Sequence, residues 1–363
     1  MSRNLHLLLT VVLALFTAKI LTAQSEDTLL DPINKSENLI HNPVSIQNIF
    51  NSVLSDNVKR YPARIFIMGD SYIESGDFAS GFQTKISSFY GNGGKVLLAI
   101  NGQFPNTVST RETKLTGEQK IVGFDLLTNG QNFTPLVRSQ NGEPVELTPV
   151  PSDRKNLISF NFSQSLSSFY ISSGKNVPAQ PVLGIILRYE NSGVVTGYYG
   201  KSSTSLRNWN TGMNQAYDVI RSFNADLIII NLGINDCAGT NFNKKYAEVE
   251  LNQLIKKIRL HSPNSALLFI SPPGFYKQGK EGFAETPNVT IMREVLAELS
   301  VKHNFAWWDM KAVMGGDSSM AVWVKQGLAL FDYVHLKPNG SQLLSMSLAE
   351  AIKESESTLV NEN

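Results

Sequence analysis

The apolar run Arg64-Ile65-Phe66-Ile67-Met68 stops at Gly69-Asp70-Ser71, and this stretch constrains the fold more than any other part of the chain. Bounded by Pro62 before and Gly69 after, it reads as a buried strand whose carboxyl end opens into a turn. Ligands in open α/β sheets sit beyond the carboxyl ends of strands, so the Ser71 hydroxyl is delivered to a place suited to chemistry. By itself, Asp70-Ser71 reads equally well as the cap of a following helix. The downstream sequence has to decide between the two.

With 363 residues, 42% of them hydrophobic and 17% charged, the chain can bury the core of one large domain or two. Its net charge of +1 gives no electrostatic case for nucleic acid or for an anionic membrane surface. At the N-terminus Arg3, the apolar run 5–18 and Leu21-Thr22-Ala23-Gln24 follow the order of a secretory signal. Residues 1–23 are therefore assigned to a signal peptide, with an uncleaved anchor as the alternative. No later apolar stretch is long enough to span a membrane. Cys237 is the only cysteine, so an exported chain of this kind has no internal disulfide, which fits the periplasm or surface of a bacterium. No two histidines stand at metal-ligand spacing, and Gly91-Asn92-Gly93-Gly94 lacks the spacing of a phosphate loop. Neither a metal nor a cofactor is expected.

Residues 24–44 are polar and read as a tether, after which Ile46, Ile49, Phe50, Val53, Leu54 and Val58 recur at helical spacing. A second helix is expected over 76–86. From 95 to 190 the texture changes to short alternating stretches at 120–127, 157–162, 168–171 and 183–189, separated by Asn-Gly, Pro and Ser-Gly turn signals. That spacing predicts an inserted all-β sandwich or jelly roll. An α/β texture then resumes, with strands at 194–203, 225–232, 266–270 and 306–309 and helices at 245–261, 289–303 and 340–353. Strand alternating with helix predicts a mainly parallel sheet covered on both faces, formed by 24–94 and 191–363 together.

Three element ends carry small polar sets: Gly69-Asp70-Ser71, Gly233-Ile234-Asn235-Asp236 after an apolar strand, and Asp332-Tyr333-Val334-His335 before the last helix. Asp332 stands three residues before His335, close enough in a tight turn to hold the imidazole in one tautomer. Nucleophilic acyl transfer needs a hydroxyl, a base for its proton and donors for the oxyanion. Ser71, His335 with Asp332, and Asn235 supply one of each, and no Gly-x-Ser-x-Gly elbow of the ordinary α/β-hydrolase fold occurs. Asp70 and Asp236 are expected to order turns through backbone hydrogen bonds, and Cys237 to be a buried small residue.

In these blocks the sequence resembles the SGNH, or GDSL-like, hydrolase superfamily of esterases and lipases. The resemblance implies a flavodoxin-like three-layer α/β domain and places the triad on Ser71, His335 and Asp332. It places the oxyanion hole on the N–H groups of Ser71 and Gly200 and the amide of Asn235, with Gly197 as a rival to Gly200. Tyr72 stands where the family often has Leu. A narrower resemblance, to bacterial peptidoglycan O-acetylesterases, rests on Gly76-Asp77-Phe78, Gly91-Asn92-Gly93-Gly94, Trp308-Asp309-Met310, Met314-Gly315-Gly316 and Trp323. In that group a sandwich resembling a carbohydrate-binding module follows the serine block, which implies the same for 95–190.

The expected activity is removal of O-acetyl groups from a polysaccharide, foremost peptidoglycan, by a monomer. Tyr72, Tyr198, Tyr199 and Trp209 are candidate substrate contacts. Acetylated xylan as substrate, acetyl transfer in place of hydrolysis, and a non-catalytic polysaccharide-binding protein are the alternatives.

Overall fold

Five parallel strands and one antiparallel edge strand form the first sheet: β1 (Ile40–His41), β2 (Ala63–Gly69), β3 (Val194–Gly200), β4 (Leu227–Asn231), β5 (Ala266–Ile270) and β6 (Ala306–Trp308). The computed structural model describes residues 31–46, 49, 62–130, 132–151, 156–175, 177–191, 193–279 and 282–360. The signal peptide expected over 1–23 and most of the helix expected beyond Pro43 lie outside the described residues, Pro43–Ser45 forming a short 3-10 turn.

The strand order is β1-β6-β5-β4-β2-β3, so the five parallel strands run 2-1-3-4-5 in chain order, the flavodoxin-like arrangement. β2 is the first of the parallel strands, and the next two, β3 and β4, lie on opposite sides of it, which makes its carboxyl end the switch point of the sheet. Ile65, Phe66, Ile67 and Met68 are fully buried. Apolar side chains on both faces of a strand are what a parallel sheet between two helical layers requires. The helix Asp77–Tyr90 packs on the long last helix Pro338–Val360, while Asn214–Phe223, Lys244–His261 and Asn288–His303 pack on one another. Lys244–His261 buries Ala247, Leu251, Leu254, Ile255 and Ile258, a stripe at helical spacing. Its first turn is capped by Asn243, whose side chain accepts from the Tyr246 N–H at 3.0 Å.

The tether read over 24–44 is corrected from residue 31 onward. Ile33, Ile40 and Ile46 are buried, Ile40 pairs with Trp308, and the Asn38 side chain bridges the Ser347 carbonyl (2.9 Å) and the Trp308 indole N–H (2.9 Å). Ile33 and Ile40 give no periodic signal in a polar stretch, yet both are buried and Ile40 lies in the edge strand.

Residues 94–189 build a second, antiparallel six-stranded sheet in the order Gly94–Leu98, Gly184–Tyr189, Thr113–Leu127, Leu157–Ser172 and Leu136–Ser139, with Leu147–Val150 beside Leu157–Ser172. The same residues also hold a separate two-stranded pair, Thr107–Val108 with Gln180–Pro181. The stretches read as separate strands at 157–162 and 168–171 are one long strand. Its pairing with Thr113–Leu127 shifts between Thr116 and Gly123, and such bulges bend a ribbon. Phe124 and Phe162 from one half of that ribbon then meet Phe169 from the other, 5.5 and 5.1 Å away between ring centroids.

The two sheets are joined by a buried ion cluster. Arg64 on β2 donates from Nη2 to Asp125 Oδ2 (2.6 Å), and Arg188 donates from Nε to Asp125 Oδ1 (2.9 Å). The side chains of Arg64 and Asp125 are fully buried and that of Arg188 is 6% exposed. Arg64 also reaches the Phe223 carbonyl, and Arg188 reaches the Phe160 carbonyl and Asn161 Oδ1.

Candidate active site

The carboxyl ends of β3, β2 and β4 lie side by side, because Gly69 pairs with Gly200 on one flank and with Asn231 on the other. The Asp70 N–H donates to the Asn231 carbonyl (3.3 Å) and the Lys201 N–H to the Gly69 carbonyl (3.2 Å), so the serine turn is pinned from both sides. Ser71 opens the single-turn helix Ser71–Glu74, capped by Asp70, whose Oδ1 accepts from the Tyr72 N–H at 3.2 Å. Gly200 touches this turn so closely that a Cβ there would lie 2.3 Å from the Glu74 nitrogen and 2.7 Å from the Asp70 carbonyl oxygen. Only glycine lets the two backbones approach this far. The rival Gly197 pairs with Phe66 inside the sheet and packs on Phe223.

Asp332 and His335 close the arrangement from the other end of the chain. Asp332 Oδ1 accepts the N–H groups of Val334 and His335, each at 2.9 Å, and Oδ2 lies 2.8 Å from His335 Nδ1. Burial pushes the Asp332 carboxyl up, but the hydrogen bonds from His335 and Val334 together outweigh it and hold the group below its usual value. A carboxylate on Nδ1 orients the ring and leaves Nε2 for other work. Tyr333 carries the turn through a left-handed φ of 58° and packs against Tyr276 and Phe283.

Ser71 and His335 line one cavity of ≈270 Å3, together with Tyr72, Ser75, Asp77 and Leu336, and no hydrogen bond closes between the two. Such contacts are commonly open before substrate enters. Asn235 sits one short turn beyond β4, after Gly233 at φ 117°, and gives one amide N–H to the Thr204 carbonyl (2.9 Å). Its second N–H is thereby oriented. Asp236 accepts from the Leu206 N–H and the Tyr246 hydroxyl, both at 2.9 Å, and so braces the loop that carries Thr204. Cys237 is buried, and burial pushes its thiol up.

The candidate contacts fare differently. Trp209 is fully buried, its indole N–H on Thr204 Oγ1 (3.2 Å) and its ring against Tyr199 and Tyr217, so it is removed from the set a substrate could touch. Tyr72 is almost buried and its hydroxyl donates to the Val334 carbonyl, which ties the residue after Ser71 to the residue before His335. Tyr198 and Tyr199 line a second cavity beside Gly200. Thr204 and the Tyr72–Val334 link gave no signal in the sequence, because each joins segments that only folding brings together.

Asp70 is wholly buried, its Oδ2 lacks a partner among the described residues, and burial with the nearby Asp236 raises its carboxyl to about 7. Between about pH 4, where a free Asp titrates, and pH 7 the folded chain holds a proton that the unfolded chain releases. Stability from this group is therefore lost as pH rises through that window. Asp70→Asn is expected to remove on the order of 2–3 kcal/mol of this loss between pH 5 and pH 8. Urea midpoints for the two proteins across that range give the comparison.

A doubly wound sheet with a serine, a close-packed glycine and a carboxylate-held imidazole at its ligand end carries the groups that a hydrolytic esterase uses. The sequence model of the GDSL-like Lipase/Acylhydrolase family matches residues 178–343, a span that holds Gly200, Asn235, Asp332 and His335 and lies beyond the serine block. Over that span the chain is similar to the GDSL-like Lipase/Acylhydrolase family, and this supports an SGNH-type hydrolase domain. A solved structure of a peptidoglycan O-acetylesterase shares its fold at 18% identity, with a TM-score of 0.67 over 88% of this chain and 99% of that one. An acetyl xylan esterase is similar at 16% identity over 44% of this chain and 81% of the other, with a TM-score of 0.35. An extracellular lipase from Streptomyces rimosus overlaps 46% of this chain and 82% of its own at 16% identity and a TM-score of 0.31. No curated protein matches the chain in sequence.

Proposed function

We propose that the protein is a serine esterase that removes O-acetyl groups from a polysaccharide, bacterial peptidoglycan, through a Ser71-His335-Asp332 triad and an acetyl-enzyme. The observation that carries this reading is the meeting of Ser71 and His335 on one cavity, with Asp332 Oδ2 2.8 Å from His335 Nδ1. His335 Nε2 takes the Ser71 proton as Oγ attacks the acetyl carbonyl carbon. The N–H groups of Ser71 and Gly200 and the free amide N–H of Asn235 receive the oxyanion. As the tetrahedral intermediate collapses, the sugar oxygen leaves with the proton from His335 and the acetyl group stays on Oγ. A water that gives its proton to His335 then attacks the acetyl-enzyme, and acetate departs.

Peptidoglycan is favoured over xylan by the flanking motifs and by the fold held in common with a peptidoglycan O-acetylesterase. In this reading the chain is exported to the periplasm or cell surface and acts as a monomer. Its all-β insert is a carbohydrate-binding module. Acetate release from O-acetylated peptidoglycan, acetylated xylan and 4-nitrophenyl acetate tests the proposal, and the first polymer is expected to react fastest. Faster release from xylan would reassign the substrate. Glycan binding with no release from any of the three would leave a non-catalytic binding protein. Asn235→Ala is expected to lower kcat by ~10²–10³, the usual loss for one oxyanion donor.

A further inference from the structure

The cavity beside Gly200 has a volume of ≈330 Å3, at the small end for ligand sites. Glu74 from the serine turn and Tyr199, Gly200 and Lys201 from the end of β3 form one wall. Ile100 and Asn101, from the turn that follows Gly94–Leu98 in the second sheet, form the other. Both sheets thus contribute to one hollow, and Gly200 connects it to the serine turn.

Its chemistry is mixed in a specific way. The Tyr199 ring is half-buried and held edge-to-face on Trp209, 6.0 Å between centroids, and no hydrogen bond engages its hydroxyl among the described residues. Asn101 commits Nδ2 to the Tyr198 carbonyl (2.8 Å), which fixes its side chain and leaves Oδ1 as an acceptor. Glu74 accepts from the Ser202 N–H at 3.2 Å and from the Ser202 hydroxyl, while Lys201 has no carboxylate partner among the described residues. The charges of Glu74 and Lys201 offset each other, so the hollow selects no ligand of one sign. A neutral ring bearing hydroxyl groups finds an aromatic edge to lie against and both donors and acceptors around it.

We propose that this cavity is the subsite for the sugar ring adjoining the acetylated one, with Tyr199, Asn101 and Lys201 as specificity-determining contacts. The inference rests on the esterase reading above. A polymer whose acetyl carbonyl oxygen meets the Gly200 N–H has its neighbouring ring beside Tyr199, and a small acetyl ester leaves the hollow empty. The second sheet then acts on specificity directly, through Asn101.

The test is the ratio of kcat/KM for a neutral O-acetylated oligosaccharide of two or more rings to that for 4-nitrophenyl acetate. In Tyr199→Ala and in Asn101→Ala this ratio is expected to fall about tenfold. Tyr199→Phe, which keeps the ring and its packing, is expected to fall less than Tyr199→Ala. An unchanged ratio in both alanine variants overturns the subsite. Calorimetric titration with the deacetylated oligosaccharide separates this inference from the esterase reading, because it needs no turnover. Binding weakened about tenfold in both variants upholds the subsite even where neither ester is cleaved, and equal binding in variant and wild type overturns it.

Discussion

Ser71→Ala is expected to lower kcat for acetyl ester hydrolysis by a factor of ~10⁴–10⁶ while leaving the fold intact. The size follows from what is removed. Ser71 is the one hydroxyl that shares a cavity with a carboxylate-held imidazole and also opens a turn against which Gly200 packs. Without Oγ no acetyl-enzyme forms, whereas the backbone N–H groups and Asn235 stay in place and still polarise a bound carbonyl. A residual rate above that in water is therefore expected. The measurement is acetate release in single turnover, with unchanged circular dichroism as the control. Full activity in Ser71→Ala would remove the serine from the mechanism.

Asp125→Ala is expected to destabilise the protein by about 3–5 kcal/mol, the usual cost of breaking a buried ion cluster by removing one partner. Asp125 is the carboxylate shared by Arg64 and Arg188, and its loss leaves two guanidinium groups out of water without their common counter-charge. Hydrogen bonds to the Phe223 and Phe160 carbonyls satisfy part of each guanidinium but neutralise neither. Replacing all three residues together by Leu or Met of similar volume is expected to cost far less, since no buried charge then remains. Urea unfolding followed by circular dichroism separates the two outcomes. Equal losses in the single and triple variants would show that shape, not charge, matters at this junction. Arg64 is the second residue of β2, the strand that leads to Ser71, so the cluster also ties the serine strand to the second sheet.

The α/β alternation was legible because a doubly covered parallel strand has to be apolar on both faces, and few other elements produce an unbroken run such as Ile228-Ile229-Ile230. Asp332 and His335 were legible as a pair because they are three residues apart and their contact is local. The long strand Leu157–Ser172 was read as two because periodicity reports which residues alternate, and it carries no information on whether two stretches belong to one strand. Arg64 was read as part of an apolar run. Its counter-charge lies on another sheet, 61 residues away, and nothing near Arg64 in the chain announces it.

Residue type and spacing along the chain determined the chemistry on offer: a hydroxyl, an imidazole with its carboxylate, an amide and a glycine, each at the end of an apolar run. Strand order decided their meeting. Gly69, Gly200 and Asn231 come together because β2 lies between β3 and β4, and the pairing of main-chain groups that sets this order is not written in side-chain periodicity. Tertiary structure alone also sorted Trp209 into the core and Asn101 onto the wall of a cavity beside Gly200. Burial depends on what arrives from elsewhere in the chain, and an aromatic or amide residue reads the same in sequence whether it ends up packed or exposed.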